Sequence, residues 1–204
     1  MDITLQEVIL NELNGENNWN YLSEKCKLSE DIIDEFANKV NWSCISRFQT
    51  LSESFIRKHK NDVNWNYISY YQKLSEYFIE EFANDVNWMH ICTKQTLSES
   101  FIEKYLDKIY WNDISRCQKL SNNFIDKYSN ELDWYFISGY QTLSEEIMNK
   151  YKDYIFWSVI SQYQSFSESF IERFKDNIDW HRLQKNNNIS DEIKQKYEEM
   201  IVWD

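Results

Sequence analysis

The sequence predicts an all-α protein, an α-solenoid in which 23-residue two-helix repeats, each with one tryptophan, form a superhelical stack. The first observation is the tryptophan spacing, because consecutive tryptophans lie 23 residues apart along the whole chain. They are Trp19, Trp42, Trp65, Trp88, Trp111, Trp134, Trp157, Trp180 and Trp203. The second observation is that proline is absent and glycine occurs only twice, which disfavours a turn-rich sheet fold. The third is a hydrophobic content of 42%, which provides enough apolar surface for a folded chain.

The repeats define one predicted domain, residues 1–204, with a distinct unit at each end. Residues 1–27 are a divergent N-terminal capping repeat, residues 28–188 are seven full repeats, and residues 189–204 are a truncated C-terminal capping repeat. The consensus of the full repeats reads L-S-E-x-F-I-x-x-F/Y-x-x-x-V/I-N/D-W-x-x-I-S-x-x-Q-x. Positions 1 to 23 are counted from its leucine.

A first helix is predicted at the start of each repeat. The serine at position 2 is a good N-cap, and the glutamate that usually follows it stabilises the positive end of the helix dipole. These serines are Ser29, Ser52, Ser75, Ser98, Ser121, Ser144 and Ser167. Apolar residues at positions 5, 6, 9 and 13, such as Phe101, Ile102, Tyr105 and Ile109, fit one face of a helix of about ten residues.

A second helix is predicted from position 14, where an asparagine or aspartate can cap it directly before the tryptophan. Five of the seven full repeats carry this cap, at Asn41, Asn64, Asn87, Asp133 and Asp179. Over roughly eight residues, Trp, Ile, Ser and Gln at positions 15, 18, 19 and 22 then form one stripe that indicates contact between repeats. We therefore expect the tryptophans to be buried between layers rather than to stack on bases or sugars.

Both ends of the chain are predicted to act as caps of the stack. Thr4 and Glu7 have the spacing of a capping box and would start the first helix. In the final unit Lys194 replaces the apolar residue of position 6, and the sequence ends just after Trp203. The last repeat is therefore expected to lack its second helix.

Charge and composition exclude several classes of function. With 34 acidic against 22 basic residues, the formal net charge is −12, which disfavours direct nucleic-acid binding. No run approaches the ~18 to 20 apolar residues of a membrane span, and the start lacks a basic stretch before an apolar one. We expect no membrane insertion and no secretion.

Histidine and cysteine are scattered over different repeat positions. No pair of these residues has metal-site spacing, and His59 stands where other repeats carry Phe or Tyr, which favours a packed histidine. The repeated serines have capping or packing roles, so we predict no enzyme activity, no metal and no cofactor. The four cysteines at unrelated positions predict free thiols in a reducing compartment: Cys26, Cys44, Cys92 and Cys117.

Acidic residues at positions 3 and 7 share one face of the first helix as i, i+4 neighbours. Stacked at regular spacing, they could form an acidic ribbon that imitates a phosphate backbone and blocks a nucleic-acid-handling enzyme. The residues of this ribbon are Glu30, Asp34, Glu76, Glu80, Glu99, Glu103, Glu168 and Glu172. Lysine or arginine at the adjacent position 8 favours the other interpretation, an ordinary mixed solvated face.

The second helix varies most at positions 17 and 21, which share one face. Solenoids build extended binding surfaces by holding a framework constant and varying one helix face, and tyrosine is a frequent anchor at such surfaces. We therefore predict that a protein partner binds five aromatic residues: Tyr67, Tyr71, Phe136, Tyr140 and Tyr163. In the alternative interpretation these rings only fill grooves between repeats.

The motif from Leu51 through Phe55 and Trp65 to Gln72 resembles the tandem 23-residue repeat proteins of mimivirus-like giant DNA viruses and some phages. The resemblance extends over residues 28–188 and implies an α-solenoid of viral origin acting inside a host cell, in its cytoplasm, with no catalytic residue to carry over. Departures from the motif are expected to affect local geometry only: Cys92, Tyr110 and Phe156.

Taken with the residues, this resemblance predicts a non-catalytic scaffold that binds a host protein. An acidic inhibitor of a host defence enzyme and a self-associating structural array that uses Trp203 are the alternatives.

Overall fold

A computed structural model describes residues 4–15 and 18–200. In these residues the regular structure consists of seventeen α-helices and one short 3-10 helix, without any strand. Helices alternate along the chain in the 23-residue rhythm of the tryptophans, and neighbouring helices pack in a stack. The predicted all-α solenoid architecture is therefore confirmed.

The first helices of the repeats begin one residue after the capping position. They are α1 (Leu5–Leu13), α3 (Glu30–Glu35), α5 (Glu53–Lys58), α7 (Glu76–Glu81), α9 (Glu99–Lys104), α11 (Asn122–Lys127), α13 (Glu145–Lys150), α15 (Glu168–Arg173) and α17 (Asp191–Lys196). The second helices each begin at the tryptophan. They are α2 (Trp19–Lys25), α4 (Trp42–Phe48), α6 (Trp65–Tyr71), α8 (Trp88–Lys94), α10 (Trp111–Cys117), α12 (Trp134–Tyr140), α14 (Trp157–Tyr163) and α16 (Trp180–Gln184). The 3-10 helix is Glu198–Met200.

The chain packs as two compact units, Met1–Leu97 and Ser98–Asp204. In the first unit the second helices α2, α4, α6 and α8 pack one on the next. In the second unit α10, α12, α14 and α16 do the same. The organisation into one domain of residues 1–204 stays a prediction.

The serine caps of the first helices are confirmed. The Oγ atom of Ser52 accepts a hydrogen bond from the amide of Phe55, and the other serines of position 2 do the same three residues on. The predicted length of about ten residues is wrong, because each first helix from α3 to α17 contains six α-helical residues. In the third repeat the chain continues as a tight turn after α5, in which the amides of Asp62 and Val63 donate to the carbonyl of His59. That turn returns Val63 to the core, so the apolar pattern continues beyond the helix.

The predicted caps of the second helices are confirmed at Asn41, Asn64, Asn87, Asp133 and Asp179. Tyr110 and Phe156 make no side-chain cap, yet α10 and α14 begin at the same repeat position. At Phe156 the preceding repeat supplies the constraint, because its amide donates to Ser138 Oγ at 3.0 Å. The helix start is thus held by neighbours as well as by its own cap.

The core lies between the helices of each unit and consists of branched aliphatic side chains at positions 6 and 18. Those of position 18 are fully buried, as are those of position 6, where Met148 replaces isoleucine in one repeat. They are Ile45, Ile68, Ile91, Ile114, Ile137 and Ile160, followed by Ile33, Ile56, Ile79, Ile102, Ile125 and Ile171. These positions, more than the tryptophans, carry the hydrophobic stabilisation of the stack.

The tryptophans lie at the edge of this core, which corrects the expectation that they are buried. Of the described tryptophans, Trp134 alone is buried and the others are half-buried. Trp203 lies outside the described residues. Contact between layers is nevertheless present: seven tryptophan rings pack on the position 9 ring of the next repeat within their own unit, with centroids 4.7 to 5.3 Å apart.

The indole nitrogens are satisfied within their own repeats. Trp42 Nε1 donates to the carbonyl of Ala37 at 2.9 Å, and the same bond across five residues recurs in four further described repeats at 2.9 to 3.1 Å. A sixth joins Trp88 to Ala83 at 2.9 Å. Each of these six tryptophans therefore ties the second helix to the turn that precedes it.

A buried carboxamide at position 22 joins successive repeats. Gln72 Nε2 donates to the carbonyls of Ser46 and Gln49 in the preceding repeat, at 3.0 and 2.8 Å, while Gln72 Oε1 accepts from the amide of Leu51 at 3.0 Å. Four other glutamines make the same three bonds in the same register, two in each unit: Gln49, Gln95, Gln141 and Gln164. We call this series the glutamine ladder.

The small residue at position 19 provides a second link. Ser46 Oγ donates to the carbonyl of Trp42 at 2.7 Å and accepts from the amide of Asn64 in the next repeat at 2.9 Å. Ser69 and Ser138 make the corresponding bonds with the repeat that follows each of them. The serine of position 19 therefore links its own second helix to the start of the next second helix.

The ends of the described chain differ from the interior. The capping box of Thr4 and Glu7 is confirmed at the start of α1. Near the other end Asn186 replaces the ladder glutamine one residue early, and its Nδ2 donates to the carbonyls of Ser161 and Gln164 at 2.9 and 2.7 Å. The predicted absence of a second helix after α17 concerns residues 201–204, which lie outside the described part.

The described helices are short, and α1 with nine residues is the longest. No helix in this part of the chain is long and apolar enough to cross a membrane.

We predict that replacing a ladder glutamine destabilises the protein strongly. Gln72→Leu keeps a similar side-chain volume but removes three hydrogen bonds to buried backbone groups, and we expect the free energy of unfolding to fall by about 3 kcal/mol. The measurement is urea unfolding followed by circular dichroism. Lys73→Ala, at the adjacent exposed position, is the control and should leave the midpoint unchanged. A Gln72→Leu variant as stable as the parent would contradict the role of the ladder.

Candidate partner-binding surface

Each second helix has one outward face, which can be identified once its inward positions are known. Positions 15, 18, 19 and 22 face the core or the next repeat, so positions 16, 17, 20 and 21 form the opposite, outward face. Most residues at positions 16, 20 and 21 are exposed, those at position 17 are mostly half-buried, and Val159 and Asn186 are buried. We call these outward positions of the second helices the second-helix face. Its residues differ between repeats, whereas the inward residues are nearly constant.

The five aromatic residues predicted to bind a partner all lie on this face. Tyr71, Tyr140 and Tyr163 are exposed, with 45%, 64% and 52% of their surface accessible, and Tyr67 and Phe136 are half-buried. The exposed three are therefore available to a partner, and none of the five is lost to the core. Whether they bind one stays a prediction.

In the first unit the face carries a cluster of aromatic rings around a guanidinium group. Arg47 Cζ lies 4.8 Å from the ring centroid of Phe48, 5.4 Å from that of Tyr71 and 5.8 Å from that of Tyr67. Tyr70 packs on Tyr71 with centroids 4.6 Å apart. These contacts hold large apolar surfaces in place at the solvent boundary, where they need little ordering on binding.

In the second unit the face contains a groove beside the only helical glycine of the described chain. The groove has a volume of about 260 Å³ and is lined by Tyr135, Gly139, Tyr140, Val159, Tyr163 and Arg182. A Cβ atom at Gly139 would lie 3.1 Å from Val159 Cγ1, so the missing side chain is what lets the two helices approach and leaves the space open. The groove brings Tyr140 and Tyr163 together with Arg182, a residue that could bind an acidic group.

The prediction from positions 17 and 21 missed the contribution of position 20. Arg47 and Tyr70 occupy this position and touch the predicted aromatic residues directly. A signal existed in the sequence, because position 20 lies one helical turn from positions 16 and 17 and therefore shares their face.

The acidic residues of positions 3 and 7 lie on the first helices as predicted, but neighbouring repeats engage them. At position 3, Glu30 accepts from the amide and hydroxyl of Ser52 at 2.5 and 3.0 Å, and Glu99 does the same with Ser121. At the end of the described chain, Lys196 pairs with Glu168 and lies 3.8 Å from Glu172. A carboxylate at position 3 therefore continues the capping of the next first helix.

At position 7 the carboxylates form ion pairs with cations of the following repeat. Lys58 lies 2.6 Å from Asp34, Lys127 lies 2.8 Å from Glu103, and the same pairing joins Lys150 to Asp126 at 2.5 Å. Hydrogen bonds from these ammonium groups lower the pKa of the Asp34, Glu103 and Asp126 carboxyls. Much of the acidic ribbon is therefore an ion-pair ladder with mixed charge.

His59 is a packed histidine, as predicted. It is buried between the rings of Trp42 and Phe55, with centroids 4.7 and 4.6 Å away, and its Nε2 lies 2.9 Å from Asp34 Oδ1. Within the described residues no group of three or more His, Cys, Asp and Glu side chains could hold a metal ion. All four cysteines are free thiols, and Cys117 is the exposed one.

No protein-family model matches the chain, and no curated protein or solved structure matches it either. The resemblance to viral tandem-repeat proteins therefore stays a prediction that rests on the repeat motif alone.

We predict that the ion-pair ladder makes stability depend on acid pH. A lowered carboxyl pKa in the folded protein means that the unfolded chain binds protons more readily. The stabilisation is therefore complete above the ordinary carboxyl range near pH ~4 and is lost as the pH falls below it. Thermal unfolding between neutral pH and pH ~3 measures this loss. A variant with Asp34→Asn, Glu103→Gln and Asp126→Asn should show a smaller decrease of the midpoint than the parent. Equal decreases would show that the ion pairs contribute nothing to folding.

Proposed function

We propose that the protein is a non-catalytic scaffold that binds a protein partner through its second-helix face, and that it acts as a viral factor on a protein of the host cell. The observation that supports this proposal most is the contrast between the two sides of the second helix. Its inward residues are nearly constant and are buried or half-buried, whereas its outward residues vary and keep tyrosine rings exposed. Repeat arrays build large recognition surfaces in this way.

The exposed rings have the chemistry of interface anchors. Tyrosine supplies a large contact area with few rotatable bonds and can also form a hydrogen bond through its hydroxyl. In the first unit Tyr71 is held by Tyr70 and Arg47, and in the second unit Tyr140 packs edge-on against Phe136 with centroids 6.0 Å apart. Rings that are already held in place lose little conformational entropy on binding, which favours affinity.

In this proposal, the recurrent serines have structural roles and are not nucleophiles. Ser52 caps α5 through the amide of Phe55, and Ser46 joins two repeats by hydrogen bonds to Trp42 and Asn64. A nucleophilic serine needs an adjacent base and a donor pair for the oxyanion. These hydroxyls instead have the same structural bonds in repeat after repeat.

A test of the second-helix face compares capture of proteins from host-cell extract by the parent and by matched tyrosine variants. Tyr71→Ser and Tyr140→Ser should reduce recovery of the partner, because loss of an interface anchor costs about 2 kcal/mol, or roughly 30-fold in affinity. Tyr77→Ser and Tyr154→Ser are the controls, since these exposed tyrosines stand at positions 4 and 12, outside the second-helix face. Quantitative mass spectrometry measures the recovery. A partner that is lost in the control variants and retained in Tyr71→Ser and Tyr140→Ser would overturn the proposal.

Charge mimicry of nucleic acid by the acidic ribbon is the second candidate function, and it makes a different prediction. It requires the position 7 carboxylates at the interface, although the structure pairs Asp34 and Glu103 with lysines. The Asp34→Asn and Glu103→Gln variant should therefore bind the captured partner as the parent does. A loss of binding in this variant, with Tyr71→Ser unaffected, would favour the mimicry hypothesis instead.

Self-association through Trp203 is the third candidate. Light scattering across a concentration series tests it, because an array that grows from its end would increase in mass with concentration.

A further inference from the structure

The net charge of the chain is the sum of two sets of sequence segments that carry opposite charge. Positions 14 to 23, which contain the second helices, hold nine lysines and arginines but four aspartates and glutamates over the eight repeats from residue 18 to residue 188. The rest of the chain holds the other 30 acidic and 13 basic residues. The segments that contain the second helices are therefore basic in a protein whose net charge is −12.

In the first unit this basic character is most uniform. The second-helix segments between residues 18 and 96 contain five cations and a single acid, Glu24, which Lys25 neutralises at 2.7 Å. The cations lie among the rings: Lys94 Nζ is 4.4 Å from the ring centroid of Tyr70, and Arg47 lies over Phe48 and Tyr71. Basic and aromatic groups thus form one continuous patch.

Within the described residues, all of these cations except Lys25 lack a carboxylate partner, unlike the paired lysines of the first helices. Lys58, Lys127 and Lys150 are each paired with an acid of the preceding repeat. Over residues 4–15 and 18–200, no ion pair involves the side chains of Arg47 and Lys94 on the second-helix face, or that of Lys73, which lies two residues beyond the end of α6. Their charge is available to a ligand.

A groove recurs at the end of the second helix with the same repeat positions. In the first unit it has a volume of about 390 Å³ between α6 and α8 and includes Tyr70, Lys73 and Lys94. In the second unit the equivalent groove between α10 and α12 has about 330 Å³ and includes Arg116, Lys119 and Tyr140. Position 23 alternates between lysine and threonine, in the order Lys27, Thr50, Lys73, Thr96, Lys119 and Thr142, and both grooves include a lysine of this position.

We propose that the second-helix face of the first unit binds an extended acidic protein segment with a carboxylate at every third residue. This inference rests on the proposed function and names the chemistry of the partner. Packed helices lie about 8 to 10 Å apart, so the face offers roughly one cation per layer at that spacing. A polyproline II segment advances about 3.1 Å per residue with three residues per turn, so every third side chain returns to one side after about 9 Å. Carboxylates at this period meet Arg47, Lys73 and Lys94 while the backbone lies over the tyrosines.

A double-helical nucleic acid fits the same face less well. Along each of its strands the phosphates advance about 3.4 Å per nucleotide of helix axis, so roughly two of every three would have no cation. The remaining acidic residues also repel a polyanion at long range, whereas a segment with one charge per turn experiences less repulsion. Charge spacing therefore favours the acidic protein segment.

The test uses the full chain and fluorescein-labelled synthetic peptides, with binding followed by fluorescence anisotropy at low salt. The probe contains five copies of Glu-Pro-Ser. One control peptide has the same composition with its glutamates clustered at one end, and another has lysine in place of glutamate. The Glu-Pro-Ser peptide should bind at least tenfold more tightly than either control, and its affinity should fall as salt is added.

Two protein variants locate the binding. Arg47→Ala, Lys73→Ala and Lys94→Ala together should weaken the Glu-Pro-Ser peptide at least tenfold, whereas Lys58→Ala with Lys127→Ala should leave it unchanged. All five side chains are exposed, and circular dichroism verifies that both variants fold. Absence of peptide binding, equal binding of the clustered control, or tighter binding of a 12-nucleotide oligothymidylate would overturn the proposal.

The outcome is separable from that of the proposed function. If the peptide does not bind but Tyr71→Ser still loses a captured protein, the acidic-segment inference fails and the scaffold function stands. If the peptide binds and sedimentation shows that the protein alone also self-associates through the same three cations, the occupant is a second copy of this chain and the inference is overturned.

Discussion

The buried carboxamide at position 22 is the interaction on which the stack depends. Within each repeat it accepts from the amide of the leucine at position 1, and across the junction it donates to two carbonyls at the end of the preceding second helix. Those carbonyls lie where no further helical turn could satisfy them. One side chain therefore closes two helix ends, and its neighbours, the serine of position 19 and the isoleucine of position 18, can pack without leaving buried polar groups unpaired.

Because a few repeat positions hold the framework together, the outward residues of the second helix are not needed for packing between repeats. Arg47, Tyr70 and Gly139 occupy the same position in three different repeats, yet the backbone around them is the same. The variation can therefore follow the demands of a partner. The acidic first helices are less free, since their carboxylates cap or pair with the next repeat.

The architecture was predictable because its signals are local and repeated. Serine at position 2 and asparagine at position 14 cap helices by contacts within three residues, and sequence spacing reports such contacts directly. The role of Gln72 could not be predicted, because its hydrogen-bond partners lie 21 to 26 residues away and a polar residue at a helix end has no distinctive sequence pattern. The exposure of the tryptophans escaped prediction for a related reason: regular recurrence indicates a structural role but does not distinguish the centre of a core from its edge. On the candidate surface, the sequence identified the rings of positions 17 and 21, whereas the cations between them became visible only through their distances.

The direction of the glutamine ladder bears on how such a chain can change in length over generations. Each of the five ladder glutamines reaches backward to the preceding repeat and to the first residue of its own repeat, and none requires a particular successor. Duplication of the 69 nucleotides that encode one 23-residue repeat would therefore also add the hydrogen bonds that join the new repeat to the one before it, in register, wherever it is inserted between two regular repeats. Unequal recombination within the gene could lengthen the recognition surface by whole steps while the hydrogen bonding of every existing junction is preserved.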